Sequence, residues 1–362
     1  MEKMKTAYLL LEDGTVYRGY SMGKTGSAVG EVVFNTDMTT YQDLLMDPTY
    51  SGQIVVQTYP LIGNRGVDPV TETRLMASGY IVREWCVEPT DAHEFITLDA
   101  FLRQQHIVGL CGIDTRALTR HIRNHGVMNG VITDSLDNRE SWIEQAKNYR
   151  VPPAVGKISV AAPVRYEAEN ARYELAVPDY GFRRSLLEFL LQRGCSCTVY
   201  PAYTPAQELL AAHPDGILLS DGPGDPDDDA NIIRVIQELT RCGLPLFGVG
   251  LGHQMLALAC SMKCVKMEHA HRGANQPVRR LSDGRLMTTN QNHGYAVERS
   301  SIDPKVAEVS LEQADDKTVE GLLYKPFDAF TVQFEPSDGS GWQDTAWIFD
   351  YFCAMLEKSV RS

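Results

Sequence analysis

Residues 245–259 read PLFGVGLGHQMLALA. PLFGV is a short apolar run of the kind that forms a buried strand. LGHQMLALA carries helix-type apolar spacing. A strand that turns sharply into a helix is where many enzymes mount a nucleophile, its side chain lifted above the sheet. The residue at this apex is Gly250, which has no side chain.

The segments upstream repeat the same rhythm. YELAVPDYG (173–181) reads as a strand and turn, and RRSLLEFLLQRG (183–194) as an amphipathic helix ended by Gly194. CSCTVYPA (195–202) and DGILLS (215–220) read as strands. PAQELLAAH (205–213) and DANIIRVIQELTRCG (229–243) read as helices. Strand–helix alternation predicts an α/β domain over 173–362 with a mainly parallel, helix-covered sheet. Ligands in such sheets bind at the carboxyl ends of strands, which singles out the loops 178–184, 220–229 and 249–254.

The first 150 residues have a different texture. GEVVFNT (30–36) and GQIVVQTYP (52–60) are strand-like, and DTRALTRHIRNHG (114–126) predicts a helix with Asp114 as N-cap and Gly126 as stop. No βα alternation runs through them, so an α+β domain is expected over 1–150. VPPAVGKISVAAPVRYEAENAR (151–172) is rich in Pro and Ala with weak periodicity, and reads as a linker.

The 362 residues fit two domains at ~100–200 residues each. A formal net charge of −13 disfavours nucleic acid or an anionic membrane as a general partner. No apolar run approaches the roughly 20 residues that span a bilayer. The start, MEKMKTAYLLLEDG, reads as a first strand running into a turn and not as a signal peptide. The eight cysteines are scattered. Cys195 and Cys197, the closest pair, share one face of a strand and are read as buried free thiols, which places the chain in a reducing cytoplasm.

Longer segments carry a resemblance. ILLSDGPGDP (217–226), FGVGLGHQ (247–254), HRGANQPV (271–278) and QNHGYAV (291–297) resemble the class I glutamine amidotransferases. GEVVFNTDMTTYQDLLMDPTYSGQIVVQTYPLIGNRGV (30–67) and GLCGIDTRALTRHIRNHGVMNG (109–130) extend the likeness to the carbamoyl-phosphate synthase small-subunit family over nearly the whole chain. The resemblance implies a small-subunit N-terminal domain over 1–150 and a class I amidotransferase-like domain over 173–362. It also implies a large-subunit partner. In that family the small subunit hydrolyses glutamine, and the ammonia travels to the large, ATP-dependent subunit. With no GxxxxGK[ST] loop in this chain, ATP and metal are expected on the partner, with no cofactor and no metal here. Whether the product serves arginine or pyrimidine synthesis stays open.

Glutamine hydrolysis is acyl transfer. It needs a thiolate, a histidine base, a group that orients the histidine, and an oxyanion hole. The family places the cysteine at the apex of GxCLGHQ and the His and Glu in VQxHPE. Here those positions are Gly250, Glu335 and Ser337, so all three are replaced. None of the nine histidines follows His293. His253 stands two residues inside the elbow helix, where the family also has His, and is not the family's base. Cys260 lies about 15 Å along the same helix from the apex at 1.5 Å per residue. Rescue by a neighbour is therefore not expected, and Glu335 and Ser337 are read as ordinary polar loop residues.

The glutamine-binding positions implied by the resemblance remain: Thr49 (commonly Ser in the family), Gly222, Gly224, Leu251, Gln254, Asn292, Gly294 and Tyr295. Arg183 and Arg184 either meet an anion or sit at a helix N-terminus on the surface, and the surface is the simpler reading. The expected function is that of a structural or regulatory small subunit without glutaminase activity. A non-hydrolysing glutamine sensor and a subunit with residual hydrolysis are the alternatives.

Overall fold

The computed structural model describes residues 4–36, 41–69, 76–90, 95–336 and 343–360. The chain divides into two compact units, Met1–Pro152 and Pro153–Ser362.

The first unit is built on a closed barrel. In hydrogen-bonded order its strands are Thr6–Leu11, Val16–Gly23, Val108–Cys111, Gly79–Ile81, Gln53–Gln57, Ala28–Asn35 and Met128–Thr133, which returns to the first. Val108–Cys111, Gly79–Ile81, Gln53–Gln57 and Ala28–Asn35 pair in parallel, and the other contacts are antiparallel. The central strand Gln53–Gln57 is buried throughout, as a strand covered on both faces must be. The helix read over 114–126 is present as Thr115–His125. The Asp114 carboxylate accepts from the Ala117 amide at 2.9 Å, and Gly126 stands at φ 82° just past the end. It buries Thr115, Leu118 and Ile122 along one face.

The second unit carries a ten-stranded sheet. Five strands form its parallel part, in the order Cys195–Pro201, Tyr173–Asp179, Gly216–Leu219, Leu246–Val249 and Ala329–Val332. Gly216–Leu219 and Leu246–Val249 are wholly buried, between a helix Ala230–Leu239 that contributes Ile232, Ile236 and Leu239 to one core and a helix Arg184–Gln192 that contributes Leu186, Leu187 and Leu190 to the other.

The expected mainly parallel sheet is corrected in this unit. Beyond Ala329–Val332 the sheet continues through Val319–Tyr324, Ala307–Gln313, Cys264–Arg280 and Leu286–Val297, all antiparallel, and a further antiparallel edge strand, Val164–Tyr166, lies at the other end. The physical reason lies in the connections. Between Cys264 and Val332 the links are too short for the dozen or more residues that a parallel crossover requires. Cys264–Arg280 and Leu286–Val297 are joined by a tight turn with Gly284 at φ 74°. The stretch 151–172 also differs from a bare linker. Val155–Ile158 forms a helical turn, and Val164–Tyr166 pairs with Cys197–Val199. Among the described residues, no helix is long and apolar enough to cross a membrane.

Candidate functional site

The elbow is where the sequence places it. Leu246–Val249 ends at Gly250, and the helix Leu251–Ala259 begins at once. Gly250 stands at φ 52°, ψ −109°, a conformation that glycine holds at little cost and an L-residue holds only under strain. Its amide donates to the Val332 carbonyl at 2.9 Å, and the Gly252 amide to the Ser220 carbonyl at 3.1 Å. The turn is therefore locked to both neighbouring strands.

The space over the apex is filled by a side chain that sequence reading did not single out. An ideal Cβ built on Gly250 would lie 2.0 Å from Asp221 Oδ1, 2.4 Å from its Cγ and 3.0 Å from Oδ2. That carboxylate accepts from the Gly222 amide at 2.7 Å and the Leu251 amide at 3.0 Å. The amide of the residue after a nucleophile is the usual donor to a developing oxyanion. Asp221 thus sits where a nucleophile's side chain would stand and on the donors that an oxyanion would need.

Arg183 secures this arrangement. Its guanidinium reaches Glu335 Oε2 at 2.5 Å and Asp221 Oδ2 at 3.4 Å. Glu335 also accepts from Ser185 Oγ at 3.2 Å and Asn290 Nδ2 at 3.1 Å, and its backbone amide donates to the Asn290 carbonyl at 3.1 Å. The Arg183, Asp221 and Glu335 side chains are only 17%, 16% and 19% exposed. Two expectations are corrected here. Glu335 is no ordinary loop residue, because one charged partner, two neutral donors and a bridged backbone hold it. Arg183 faces inward onto two carboxylates, whereas Arg184, 89% exposed and paired with Glu188, keeps the surface position. Ser337 lies outside the described residues.

The other predicted positions are distributed as follows. Gly222 presses on the Tyr180 backbone, where an added Cβ would come 2.1 Å from the carbonyl oxygen; Gly224 takes φ 99° with open space around it. Gln254 is buried, and its amide donates to the Tyr295 carbonyl and to Gln333 Oε1, both at 2.9 Å. Asn292 Oδ1 accepts from Arg272 Nε at 3.1 Å, and a Cβ added at Gly294 would lie 3.5 Å from Arg272 Nη2. Gln254 and Tyr295 meet through the first of these bonds, and Leu251 meets Asp221 through its amide. Thr49 belongs to the first unit, where its hydroxyl donates to Asp47 Oδ1 at 2.6 Å. His253 is a core residue. Nδ1 lies 2.6 Å from the Thr331 hydroxyl, and burial takes its pKa down to about 3, so the ring is neutral.

Among the described residues, one set has metal-ligand chemistry: His271, His293 and Glu320, with polar atoms all within 4.8 Å. Their residue types would suit a divalent ion. They are already engaged with one another. His271 Nδ1 lies 3.2 Å from Glu320 Oε1 and its Nε2 2.8 Å from Asp316 Oδ2. His293 Nδ1 meets the Tyr295 carbonyl at 2.8 Å, and Gln291 donates to Glu320 Oε2 at 2.9 Å. Burial pulls the His271 pKa down, but the two carboxylates outweigh it and leave it raised. Burial would lift Glu320, and the hydrogen bonds from the two histidines bring it below its ordinary value. This is a closed ion-pair cluster in the antiparallel half of the sheet.

At the elbow the apex residue has no side chain, and the Gly222 and Leu251 amides are occupied by the Asp221 carboxylate. Beside the apex lies an arginine–carboxylate network of Arg183, Asp221 and Glu335. The signal available in the sequence was the charge pairing of three loops: Arg183, Asp221 and Glu335 all follow strands whose carboxyl ends meet here.

Comparison with known proteins bears on both units. The family model for the carbamoyl-phosphate synthase small chain, CPSase domain, matches residues 9–132, and that for glutamine amidotransferase class-I matches residues 176–355. A carbamoyl phosphate synthase small chain of Syntrophotalea carbinolica is 42% identical, covering 98% of this chain and 99% of its own length. Those of Staphylococcus epidermidis and Listeria monocytogenes are 40% and 42% identical, each covering 98% of this chain and 97% of their own.

Proposed function

The chain belongs to the carbamoyl-phosphate synthase small-chain family, and we propose that it is a member without glutaminase activity, serving as the structural or regulatory partner of a large chain that uses free ammonia. The observation that carries this reading is Asp221. Its carboxylate lies on the Gly222 and Leu251 amides and within 2.0 Å of where a Gly250 Cβ would stand. Loss of a cysteine alone leaves a pocket that can still bind and polarise an amide. Here the pocket is also filled, and Arg183 clamps the filling group to Glu335.

The full-length likeness supports retention of the role in assembly. Residues 9–132 match the domain peculiar to these small chains, and that domain has no part in the three replaced positions. ATP and metal chemistry belong to the large chain. The eight cysteines, all free thiols, support a cytoplasmic location. A glutamine sensor would need Asp221 to vacate the two amides, which makes it the weaker alternative.

The test is reconstitution with the large chain of the same source. Co-elution at micromolar concentration, with carbamoyl phosphate made from ammonium and not from glutamine, is the expected result. Failure to associate removes the partner role, and glutamine-dependent synthesis removes the claim of lost activity.

A further inference from the structure

Away from the elbow, the second unit brings two thiols together. Cys195 opens the strand Cys195–Pro201 and is fully buried; Cys353 lies on the C-terminal helix Trp347–Val360 and is partly exposed. Their Sγ atoms are 3.9 Å apart, although the residues are 158 positions apart in sequence. Cys197, the nearer neighbour in sequence, turns its thiol to the Cys195 carbonyl at 3.7 Å instead.

The surroundings divide the pair into unlike members. Arg193 stacks over Phe349 at 5.1 Å with its Nε on Asp350 at 2.8 Å, and Arg172 stacks over Tyr173 at 5.1 Å. The hydrogen bond with Cys195 and the charge of these two arginines hold the Cys353 thiol below its ordinary value, against its burial and the nearby Asp350 carboxylate. Cys195 moves the other way, raised by the same contact with Cys353 and by its burial. Elsewhere burial pushes thiols up, to about 11 for Cys111 and Cys260 and about 12 for Cys197 and Cys264. A partly exposed thiol 3.9 Å from a fully buried one is the arrangement of an attacking and a resolving cysteine.

We propose that Cys353 and Cys195 form a peroxide-reactive dithiol site, in which Cys353 takes the oxidant and Cys195 closes a disulfide that ties the C-terminal helix to the sheet. The Cys353 thiolate attacks one peroxide oxygen. An S–O bond forms, the O–O bond breaks, and hydroxide leaves and is protonated to water. The Cys195 sulfur then attacks the sulfenic sulfur. The S–S bond forms, the S–O bond breaks, and a second water leaves with the Cys195 proton. Two thiols give up two electrons, and the peroxide accepts them. To reach bonding distance the sulfurs close by about 1.9 Å.

The experiment treats the full-length chain with dilute hydrogen peroxide, alkylates the remaining thiols and maps peptides by mass. A loss of about 2 Da, a linked Cys195–Cys353 peptide pair and reversal by dithiothreitol are expected. Cys195→Ser keeps the attacking thiol and should leave a dimedone-reactive sulfenic acid at Cys353. Cys353→Ser should abolish the 2 Da loss. Circular dichroism of each variant confirms that it is folded before the readout is used. A linkage between other cysteines overturns the proposal, as does oxidation of Cys353 no faster than that of Cys86 or a dimedone adduct elsewhere in Cys195→Ser.

Discussion

Restoring a side chain at the elbow apex should be costly, and the cost should vanish in large part when Asp221 is shortened. In Gly250→Ala the new Cβ meets three atoms closer than or at contact, and all three belong to the Asp221 carboxyl group. The backbone at φ 52°, ψ −109° costs an L-residue about 1–3 kcal/mol. Expelling the carboxylate forfeits its bonds to the Gly222 and Leu251 amides, each worth about 1.5–3 kcal/mol for a charged acceptor. The single variant should therefore lose at least about 4 kcal/mol, a large share of the 5–15 kcal/mol typical of folded proteins. In the Asp221→Ala background the clashing atoms are gone, and Gly250→Ala should cost only the backbone strain. Urea titration of the four proteins, read from midpoints at constant slope, gives the cycle. A coupling of about 2 kcal/mol or more is expected. Additivity within about 0.5 kcal/mol would refute the placement of Asp221 over the apex. For the same reason Gly250→Cys alone should stay inert towards glutamine.

Other consequences follow from single contacts. Arg183→Met leaves Asp221 and Glu335 without their shared cation and should cost about 3 kcal/mol in the same urea assay, whereas Arg184→Met should cost under about 0.5 kcal/mol. Gly222→Ala drives a Cβ to 2.1 Å from the Tyr180 carbonyl oxygen and should destabilise by more than about 2 kcal/mol; Gly224→Ala meets nothing within 4 Å and should cost only its φ strain, about 1 kcal/mol. Stability should peak near pH 6.5. His271 has a raised folded pKa, so its contribution is whole below 6.5 and lost as pH rises through the folded value. His253 has a folded pKa lowered to about 3, so stability is lost as pH falls from 6.5 towards 3. Urea midpoints against pH should flatten on the alkaline side in His271→Gln and on the acid side in His253→Gln. Unchanged profiles would contradict the two placements.

The strands flanking the elbow were legible because they are short, continuously apolar and separated by helices with one apolar stripe each. The helix after Asp114 was legible because its cap and its stop are local chemistry. The antiparallel half was not. Cys264–Arg280 and Leu286–Val297 are long strands full of polar and charged residues, broken by bulges between Lys266 and His271 and between Gly273 and Gln276, and they present no clean period of two. Residues 155–166 looked like a linker because an edge strand, exposed along Val164–Tyr166, needs little hydrophobic content. The three replaced positions of the site were visible from the resemblance, but the group that replaced them was not. Arg183 and Arg184 are chemically identical neighbours, and only the start of the helix at Arg184 decides which one turns towards Asp221 and Glu335. Asp221 matters only because three loops converge on it, a property of tertiary packing and not of any one segment.

The most direct test of the account is release of ammonia from glutamine by this chain, alone and mixed with its large-chain partner, beside a cysteine-bearing small chain as positive control and a blank without protein. Release indistinguishable from the blank is expected in both cases. Release clearly above the blank would mean that a nucleophile other than an apex cysteine operates, and that Asp221 does not close the site.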